Sequence, residues 1–253
     1  MNLKTFKDFL PILKEKWKEI PAGLQTRLFS SDLLAKKKND FINDWENLYI
    51  ENCEGEGFQV RGWYHKLYES LAKQGGNWIE IGSGLGYDGT YFATKGANLT
   101  FCDIIEDNLR VIERICNYKK IKNVSFILLK DLEEIKLFPC FDIVIAIGSL
   151  INTPLEIAQK ERFELFNKLN PGGRWLELAY PKERWIKEGS LSPQDWAKRT
   201  DGENTPWVEW YDLNKLLSCF KVNSVKVILN TNFKNNDFNW FDLEKNKNSQ
   251  LIQ

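Results

Sequence analysis

The chain of 253 residues is long enough to form one large domain, or one domain with a small appendage. Lysine plus arginine and aspartate plus glutamate both total 35, so the formal net charge is zero. A neutral chain has no overall field that would attract a polyanion, and this disfavours a nucleic-acid partner.

Cysteine usage and hydropathy narrow the class further. The five cysteines lie far apart without a C-x-x-C pair, which argues against a disulfide framework and against a metal site. No apolar run approaches the roughly 20 residues that span a bilayer. The first residues, "MNLKTFKDFLPILKEKWKEI", contain charges and a proline and do not resemble a signal peptide. We therefore expect a cytoplasmic protein without membrane insertion.

The N-terminal segment is predicted to be helical. Residues 3–20 and 31–50 have helical patterns, with a break at "EIPAGLQ", and the glycine cluster "NCEGEGFQVRG" separates them from the rest of the chain. A weak basic excess in residues 1–38 is compatible with a membrane surface, but we favour an amphipathic helix that covers the core. Residues 1–58 are thus predicted to form a helical N-terminal cap.

From "WYHKLYESLAKQGG" onward, helical stretches alternate with short apolar runs bounded by turn residues. The runs are "NWIEIG", "NLTFCD", "VSFILLK", "FDIVIAIG" and "RWLELAY". The helical candidates between them are residues 89–95, 107–118, 131–135 and 154–169. This alternation is typical of a parallel sheet flanked by helices.

The C-terminal third departs from this alternation. The stretches "SPQDWAKRTDG" and "DLNKLLSCF" are predicted to be helices, and the first begins with a Ser-Pro capping signal. The stretches "VKVILNTNF" and "DFNWFDL" are predicted to be strands joined by the polar turn "KNN", which indicates an antiparallel pair at the end of the sheet. The end, "EKNKNSQLIQ", is polar and predicted to be frayed.

The stretch "NWIEIGSGLGYDG" places three glycines directly after the first apolar run. A phosphate-binding P-loop would need Gly-Lys-Ser/Thr after the last glycine, and Tyr87 and Asp88 stand there. A dinucleotide fingerprint would need glycine at position 87. The acid Glu80 would repel a pyrophosphate, but it suits a ligand with an ammonium group.

Two more acids end the next two strands. Asp103 stands where a carboxylate can accept both hydroxyls of a ribose, and Asp131 stands where a carboxylate can accept from an adenine amino group. A ligand with an amino-acid end, a ribose and an adenine is S-adenosylmethionine.

The segments "IEIGSGLG", "FCDIIEDNL", "LLKDLEEI", "FDIVIAIGSL" and "LNPGGRWLEL" resemble successive motifs of the class I S-adenosylmethionine-dependent methyltransferases, in their usual order, over residues 60–180. The resemblance implies a Rossmann-like, doubly wound α/β domain over residues 59–253. Its seven-stranded sheet would be mostly parallel with an antiparallel C-terminal strand, and S-adenosylhomocysteine would be the product. By this resemblance, the cofactor-binding residues are Glu80, Gly82, Ser83, Gly84 and Gly86 at the methionine end, Asp103 and Ile104 at the ribose, Asp131 and Leu132 at the adenine, and Gly148 with Ser149 beneath the sulfonium.

The catalytic residues are less determined by the sequence. His65, the only histidine, precedes the first strand of the sheet and is the candidate general base, although a lone helical histidine is also often a plain polar residue. Arg61 is the candidate ligand for the cofactor's carboxylate, with an acidic group of the substrate as its alternative partner. Related small-molecule enzymes carry two histidines where Ile151 and Asn152 stand, which leaves Asn152 as a hydrogen-bonding residue for the substrate.

The region after the fifth strand is expected to select the substrate. Residues 181–220 are predicted to form a lid rich in aromatic and charged side chains, and Tyr180, Arg184 and Trp210 are candidate substrate-binding residues. The segments "RWLELAYPKERW", "WVEWYDL" and "DFNWFDL" also resemble methyltransferases of bacterial capsule or surface-polysaccharide synthesis. We therefore expect a monomer or homodimer that methylates a hydroxyl of a phosphorylated or nucleotide-linked sugar. The alternatives are methylation of another small acid, amine or thiol, and a regulatory protein that binds the cofactor without turnover.

Overall fold

The structure, a computed structural model, describes residues 5–21, 27–221 and 223–247. Residues 3 and 4 of the first predicted helix and residues 248–253 of the predicted frayed end lie outside the described residues. The chain groups into two compact units, one of Trp17–Leu129 and one of Met1–Lys16 with Lys130–Gln253. The predicted boundary between residues 58 and 59 and the predicted lid over residues 181–220 stay predictions.

Seven strands form the main sheet, and they confirm the predicted α/β class. We number strands in chain order. The order is β5-β4-β3 in the unit Trp17–Leu129 and β6-β7-β9-β8 in the other unit. The pairs β3 with β4, β4 with β5 and β6 with β7 are parallel, whereas β9 runs antiparallel to both β7 and β8. Their ranges are β3 (Asn77–Ile81), β4 (Asn98–Asp103), β5 (Val124–Leu128), β6 (Phe141–Ile147), β7 (Leu169–Ala179), β8 (Val225–Phe233) and β9 (Phe238–Lys245).

The unit Trp17–Leu129 contains β3, β4 and β5 and the helices that follow β3 and β4. Both β3 and β4 are buried at every position except their first residue, as continuous apolar runs predict for parallel strands covered on both faces. The helices of this unit are α2 (Ser30–Ala35), α3 (Lys38–Cys53), α4 (Gly62–Lys73), α5 (Tyr87–Lys95) and α6 (Glu106–Lys119). The apolar face of α6 is buried, whereas its charged face is exposed.

The other unit contains β6, β7, β9 and β8. The predicted hairpin between the last two strands is present, and all three residues of its "KNN" turn have positive φ. The side chains of Trp175 on β7 and Trp240 on β9 are fully buried in this unit. Its helices are α1 (Phe6–Trp17, of which Trp17 belongs to the other unit), α7 (Leu155–Asn167), α8 (Lys182–Lys187), α9 (Pro193–Asp201) and α10 (Leu213–Leu217).

The N-terminal prediction is wrong in detail. The predicted helix over residues 3–20 ends at Trp17, and a short antiparallel hairpin follows, with β1 (Glu19–Pro21) paired to β2 (Arg27–Phe29). The predicted helix over residues 31–50 is divided between α2 and α3 at residues 36–37. Lys36 adopts an extended conformation with ψ of 151°, and this interrupts the helical hydrogen bonds.

Candidate functional site

The glycine loop, residues 82–86, joins β3 to α5. Gly82, Gly84 and Gly86 have φ of 68°, 54° and 71°, a region that side chains with a Cβ rarely adopt. A Cβ built on Gly84 would meet no atom within 4 Å, so this part of the loop is open. Ser83 faces inward, where its hydroxyl donates to the Glu80 carbonyl at 3.0 Å. The open part of the loop therefore offers its backbone to a ligand at close range.

Asp103, at the end of β4, holds the glycine loop by a hydrogen bond to its backbone. Its Oδ2 accepts from the Gly84 N–H at 2.9 Å and from Asn108 Nδ2 at 3.3 Å, and its Oδ1 accepts from the Ile105 N–H at 2.8 Å. Burial raises the pKa of Asp103, although these hydrogen bonds act in the opposite direction. The half-buried Ile104 follows directly. Asp103 and Gly84, two of the predicted cofactor residues, thus lie in direct contact.

Glu80 lies under the loop on β3. It is 2% exposed, and no described residue donates a hydrogen bond to its Oε2. A Cβ on Gly89 would lie 2.6 Å from this oxygen, so the carboxyl group packs against the first turn of α5. Burial, with the nearby carboxylate of Asp88, raises the pKa of Glu80 well above its usual range. A buried oxygen without a donor is costly, and a ligand that supplies a donor would relieve that cost.

The predicted residues Arg61 and His65 both contact a residue that the sequence did not single out, Asp88. Arg61 Nη1 donates to Asp88 Oδ2 at 2.9 Å, His65 Nε2 lies 2.6 Å from Oδ1, and the Tyr64 hydroxyl donates to Oδ1 at 2.6 Å. Burial acts to raise the pKa of Asp88, but Arg61 and His65 outweigh it and lower the pKa. Asp88 is therefore a buried, charged carboxylate beside the loop.

His65 itself is enclosed by protein. It is 2% exposed, and its ring stacks on Tyr91 with 4.4 Å between the centroids. Arg61 keeps part of its side chain, 29%, exposed to solvent. The roles predicted for the two residues, base and carboxylate ligand, stay predictions.

A signal for Asp88 was present in the sequence. Arg61, Tyr64 and His65 are spaced i, i+3 and i+4, so they share one face at the start of a helix. Asp88 stands directly before Gly89, in the first turn of the helix after the loop. The spacing shows that three donors face the same way, but only the packing of α4 against α5 shows which acceptor they meet.

The remaining predicted cofactor residues lie in the other unit. Asp131 Oδ1 accepts from the Glu133 N–H at 3.2 Å, and Oδ2 forms an ion pair with Lys7 Nζ on α1 at 2.6 Å. The Lys7 hydrogen bond lowers the pKa of Asp131. Leu132 is buried beside it. Gly148 has φ of 66° and donates to the Leu178 carbonyl at 3.0 Å, and the half-buried Ser149 follows it.

Within this unit, the segment of residues 205–212 lies along the carboxyl ends of β6 and β7. The Glu209 N–H donates to the Ile151 carbonyl at 2.8 Å, and the Tyr211 N–H donates to the Tyr180 carbonyl at 2.9 Å. Asn152, a predicted substrate residue, donates through Nδ2 to the Trp207 carbonyl at 3.3 Å. This bond uses Nδ2 inside the protein and connects the loop after β6 to the segment.

The other three predicted substrate residues form two clusters of aromatic rings and cations. In the first, the Tyr180 hydroxyl donates to Asp201 Oδ1 at 2.8 Å, and the Arg184 guanidinium lies 4.3 Å from the centre of the Tyr180 ring. In the second, Trp210 stacks on Trp185 with 5.7 Å between centroids. Lys215 Nζ and Lys182 Nζ lie 3.8 Å and 5.1 Å from the Trp210 ring centre. Both clusters thus place cations on aromatic faces.

The part of the chain that the structure describes contains no group of three or more histidine, cysteine, aspartate or glutamate side chains able to hold a metal ion. Among the same residues, no helix is both long and apolar enough to cross a membrane.

The sequence matches no model of a known protein family and no curated protein. Solved structures do match its fold. A magnesium protoporphyrin IX methyltransferase from Synechocystis PCC 6803 with bound SAH is 17% identical, with a TM-score of 0.56 over 81% of this chain and 97% of that one. A SAM-dependent methyltransferase from Clostridium acetobutylicum is 10% identical, with a TM-score of 0.58 over 81% and 98%.

An N-methyltransferase, NodS from Bradyrhizobium japonicum in complex with SAH, is 14% identical, with a TM-score of 0.55 over 85% of this chain and 96% of that one. At these identities the likeness concerns the fold, and acceptors differ among the neighbours. The chain therefore has the Rossmann-like fold of S-adenosylmethionine-dependent methyltransferases, as predicted, and its chemistry must be argued from its own residues.

Proposed function

We propose that this protein is an S-adenosylmethionine-dependent methyltransferase with a small-molecule acceptor. The observation that carries the proposal is the open glycine loop between a carboxylate bonded to the loop, Asp103, and a carboxyl oxygen without a donor, Glu80 Oε2. Such a set suits a ligand that brings an ammonium group and a ribose. The fold neighbours that bind SAH support this assignment.

The residues fit the cofactor in chemical terms. Glu80 would accept from the ammonium group, the open side of Gly84 would admit the amino-acid end, and Asp103 would accept from the ribose hydroxyls. The roles of Asp131 and Leu132 at the adenine, and of Gly148 with Ser149 beneath the sulfonium, stay predictions from the sequence. When bound, S-adenosylmethionine supplies an electrophilic methyl group. The protein must hold the acceptor atom in line with that group and let the acceptor's proton leave.

The favoured acceptor is a hydroxyl of a phosphorylated or nucleotide-linked sugar of a surface-glycan pathway. Support comes from the stacked Trp185 and Trp210 rings and from the cations around them, because aromatic faces pack on sugar rings and cations pair with phosphate. Lys215 is already paired with Glu209 at 2.5 Å. Arg184 is paired with Glu188 at 3.1 Å. Lys182 is therefore the proposed phosphate-binding side chain, with Arg184, Tyr180 and Asn152 as further substrate contacts.

Calorimetry with S-adenosylmethionine and S-adenosylhomocysteine tests the donor. Both should bind, and failure of both at millimolar concentration would overturn the proposal. Asp103→Asn should weaken binding by about 1.5 to 3 kcal/mol, because it removes charge from a hydrogen bond. Asp107→Asn is the matched control, since Asp107 is a more exposed carboxylate that pairs with Arg110 in the first turn of α6.

A screen of sugar nucleotides and sugar phosphates for formation of S-adenosylhomocysteine tests the acceptor. Unphosphorylated sugars and small acids, amines and thiols are the comparison sets, and turnover only with these would refute the sugar-phosphate assignment. His65→Ala tests the base, and full turnover in that variant would exclude it.

A cofactor-binding regulatory protein is the second candidate. The observation that favours it is the enclosure of His65, whose ring is 2% exposed with Nε2 against Asp88. Tight cofactor binding without turnover in any acceptor set would support this candidate.

A further inference from the structure

We propose that Asp88 is a positioning residue of the cofactor site, which orients the Arg61 guanidinium so that its other nitrogens bind the carboxylate of the ligand's amino-acid end. The inference rests on the proposed function, because it concerns the same ligand. It adds a residue to which the sequence assigned no role.

Asp88 lies beside the glycine loop. It lies two residues after Gly86 in the first turn of α5, and its side chain is 0% exposed. Glu80 precedes the loop on β3, so a buried acid lies on each side of the loop. Any movement of Asp88 therefore moves the exit of the loop.

Three side chains donate hydrogen bonds to Asp88. Its donors Arg61, Tyr64 and His65 all come from the start of α4, on one face of that helix. A buried carboxylate that loses its partners is strongly destabilised, so α4 and α5 are held in one arrangement at this point. The Arg61 side chain is held in the same arrangement.

Part of the Arg61 guanidinium is not used by Asp88. A guanidinium has five N–H donors in a planar fork, and the hydrogen bond of Arg61 to Asp88 uses Nη1. The ring of Tyr87 lies 5.7 Å from the guanidinium carbon. With 29% of the side chain exposed, the remaining donors can reach a ligand carboxylate from the solvent side.

The two groups then match an amino-acid zwitterion, because a bound ammonium group would favour the ionised form of Glu80. Glu80 Oε2 has no donor among the described residues and would take the ammonium group, whereas Arg61 would take the carboxylate. Asp88 pairs with Arg61 without facing the ligand, so its contribution to binding passes through Arg61.

A double-mutant cycle tests this coupling. The affinity for S-adenosylhomocysteine is measured by calorimetry in the wild type, Arg61→Ala, Asp88→Asn and the double variant, with Asp107→Asn as the matched surface control. Each single variant should bind about 10- to 100-fold more weakly, the loss expected for a hydrogen bond to a charged group. The double variant should be within about 2-fold of Arg61→Ala, because Asp88 acts through Arg61.

Several results would overturn the inference. One is wild-type affinity in a folded Asp88→Asn variant, and another is simple multiplication of the two losses in the double variant. If Asp88→Asn does not fold, Arg61→Lys decides, since lysine keeps the charge but lacks the fork. We expect about 10-fold weaker binding in Arg61→Lys, and unchanged binding would refute the orientation argument. Failure of the wild type to bind would instead overturn the proposed function, and this inference with it.

Discussion

The Arg61–Asp88 pair of one compact unit and the Arg162–Glu177 pair of the other both have a buried carboxylate, but they differ in how much of the arginine is exposed. In the unit Trp17–Leu129, Arg61 meets Asp88 and keeps 29% of its side chain exposed. In the other unit, Arg162 of α7 meets Glu177 of β7, and Arg162 is 0% exposed. The chemistry of the two pairs is the same, but of these two arginines Arg61 is the one with donors that a ligand can reach.

Each nitrogen of the Arg162 guanidinium has a hydrogen-bond partner inside the protein. Its Nη2 and Nε donate to the two carboxylate oxygens of Glu177 at 2.5 and 3.2 Å, and its Nη1 donates to the Tyr211 hydroxyl at 3.0 Å. Trp175 Nε1 donates to Glu177 Oε2 at 2.8 Å. Burial and charge alone therefore do not mark a ligand site, and the exposed part of the guanidinium separates a binding arginine from a structural one.

The largest loss of stability is expected when the Arg162–Glu177 pair is broken. Arg162→Met leaves Glu177 buried without its cation and should lower the free energy of unfolding by about 3 to 5 kcal/mol. Urea titration followed by circular dichroism measures this loss. Adding Glu177→Leu should restore most of the stability, because two apolar side chains tolerate burial. A single variant that is as stable as the wild type would show that the pair is not structural.

The next effect concerns Glu161, a buried neighbour of this pair. Burial raises the pKa of Glu161 to about 7, Arg162 opposes the shift, and Glu177 adds to it. The unfolded carboxyl group ionises near pH 4.5, so stability falls as pH rises from there to about 7 and then levels off. At pH 8, Glu161→Gln should thus gain up to roughly 3 kcal/mol, and at pH 4 it should gain nothing. Unfolding titrations at both pH values measure the difference. Equal gains at both pH values would show that the raised pKa of Glu161 is not the cause of the gain.

Breaking the Arg61–Asp88 pair should weaken ligand binding more than it lowers stability. Arg61→Met leaves Asp88 bonded to Tyr64 and His65, so it should cost roughly 1 to 2 kcal/mol of stability, less than a fully buried pair. Its loss in affinity for S-adenosylhomocysteine should exceed its loss in stability. Unfolding titration and calorimetry on the same variant compare the two quantities. If Arg61→Met destabilises the protein as much as Arg162→Met without weakening binding, both pairs are structural and the comparison fails.

Both units contain strands that the sequence predicted well, and the unit Trp17–Leu129 also contains two features that the sequence did not predict. The strands β3, β4 and β6 were predicted nearly to the residue, because buried parallel strands are continuous apolar runs, and a glycine directly follows β3 and β6. The hairpin of β1 and β2 was missed, since three-residue strands have no periodicity to detect. The break between α2 and α3 was missed because Lys36 carries no helix-breaking signal.

The sequence predicted part of the candidate site. The glycine loop and Asp103 follow from local motifs, and the structure brings Gly84 and Asp103 together. Asp88 and the Arg162–Glu177 pair depend on which helix faces which helix or strand. That choice comes from tertiary packing, and a pattern along one segment does not contain it.

The smallest effect is expected at the exposed ion pair of Lys7 with Asp131. Lys7 is 71% exposed and Asp131 21%, so solvent and salt screen the attraction. Lys7→Ala should leave the urea midpoint unchanged within measurement at 0.15 M ionic strength or above. Asp131→Ala is the paired variant, and it should weaken cofactor binding because it removes the proposed acceptor for the adenine amino group. A shift of the urea midpoint in Lys7→Ala as large as that in Arg61→Met would contradict this expectation. An exposed cation would then stabilise the protein as much as a half-buried one, and exposure would not determine how much each ion pair contributes to stability.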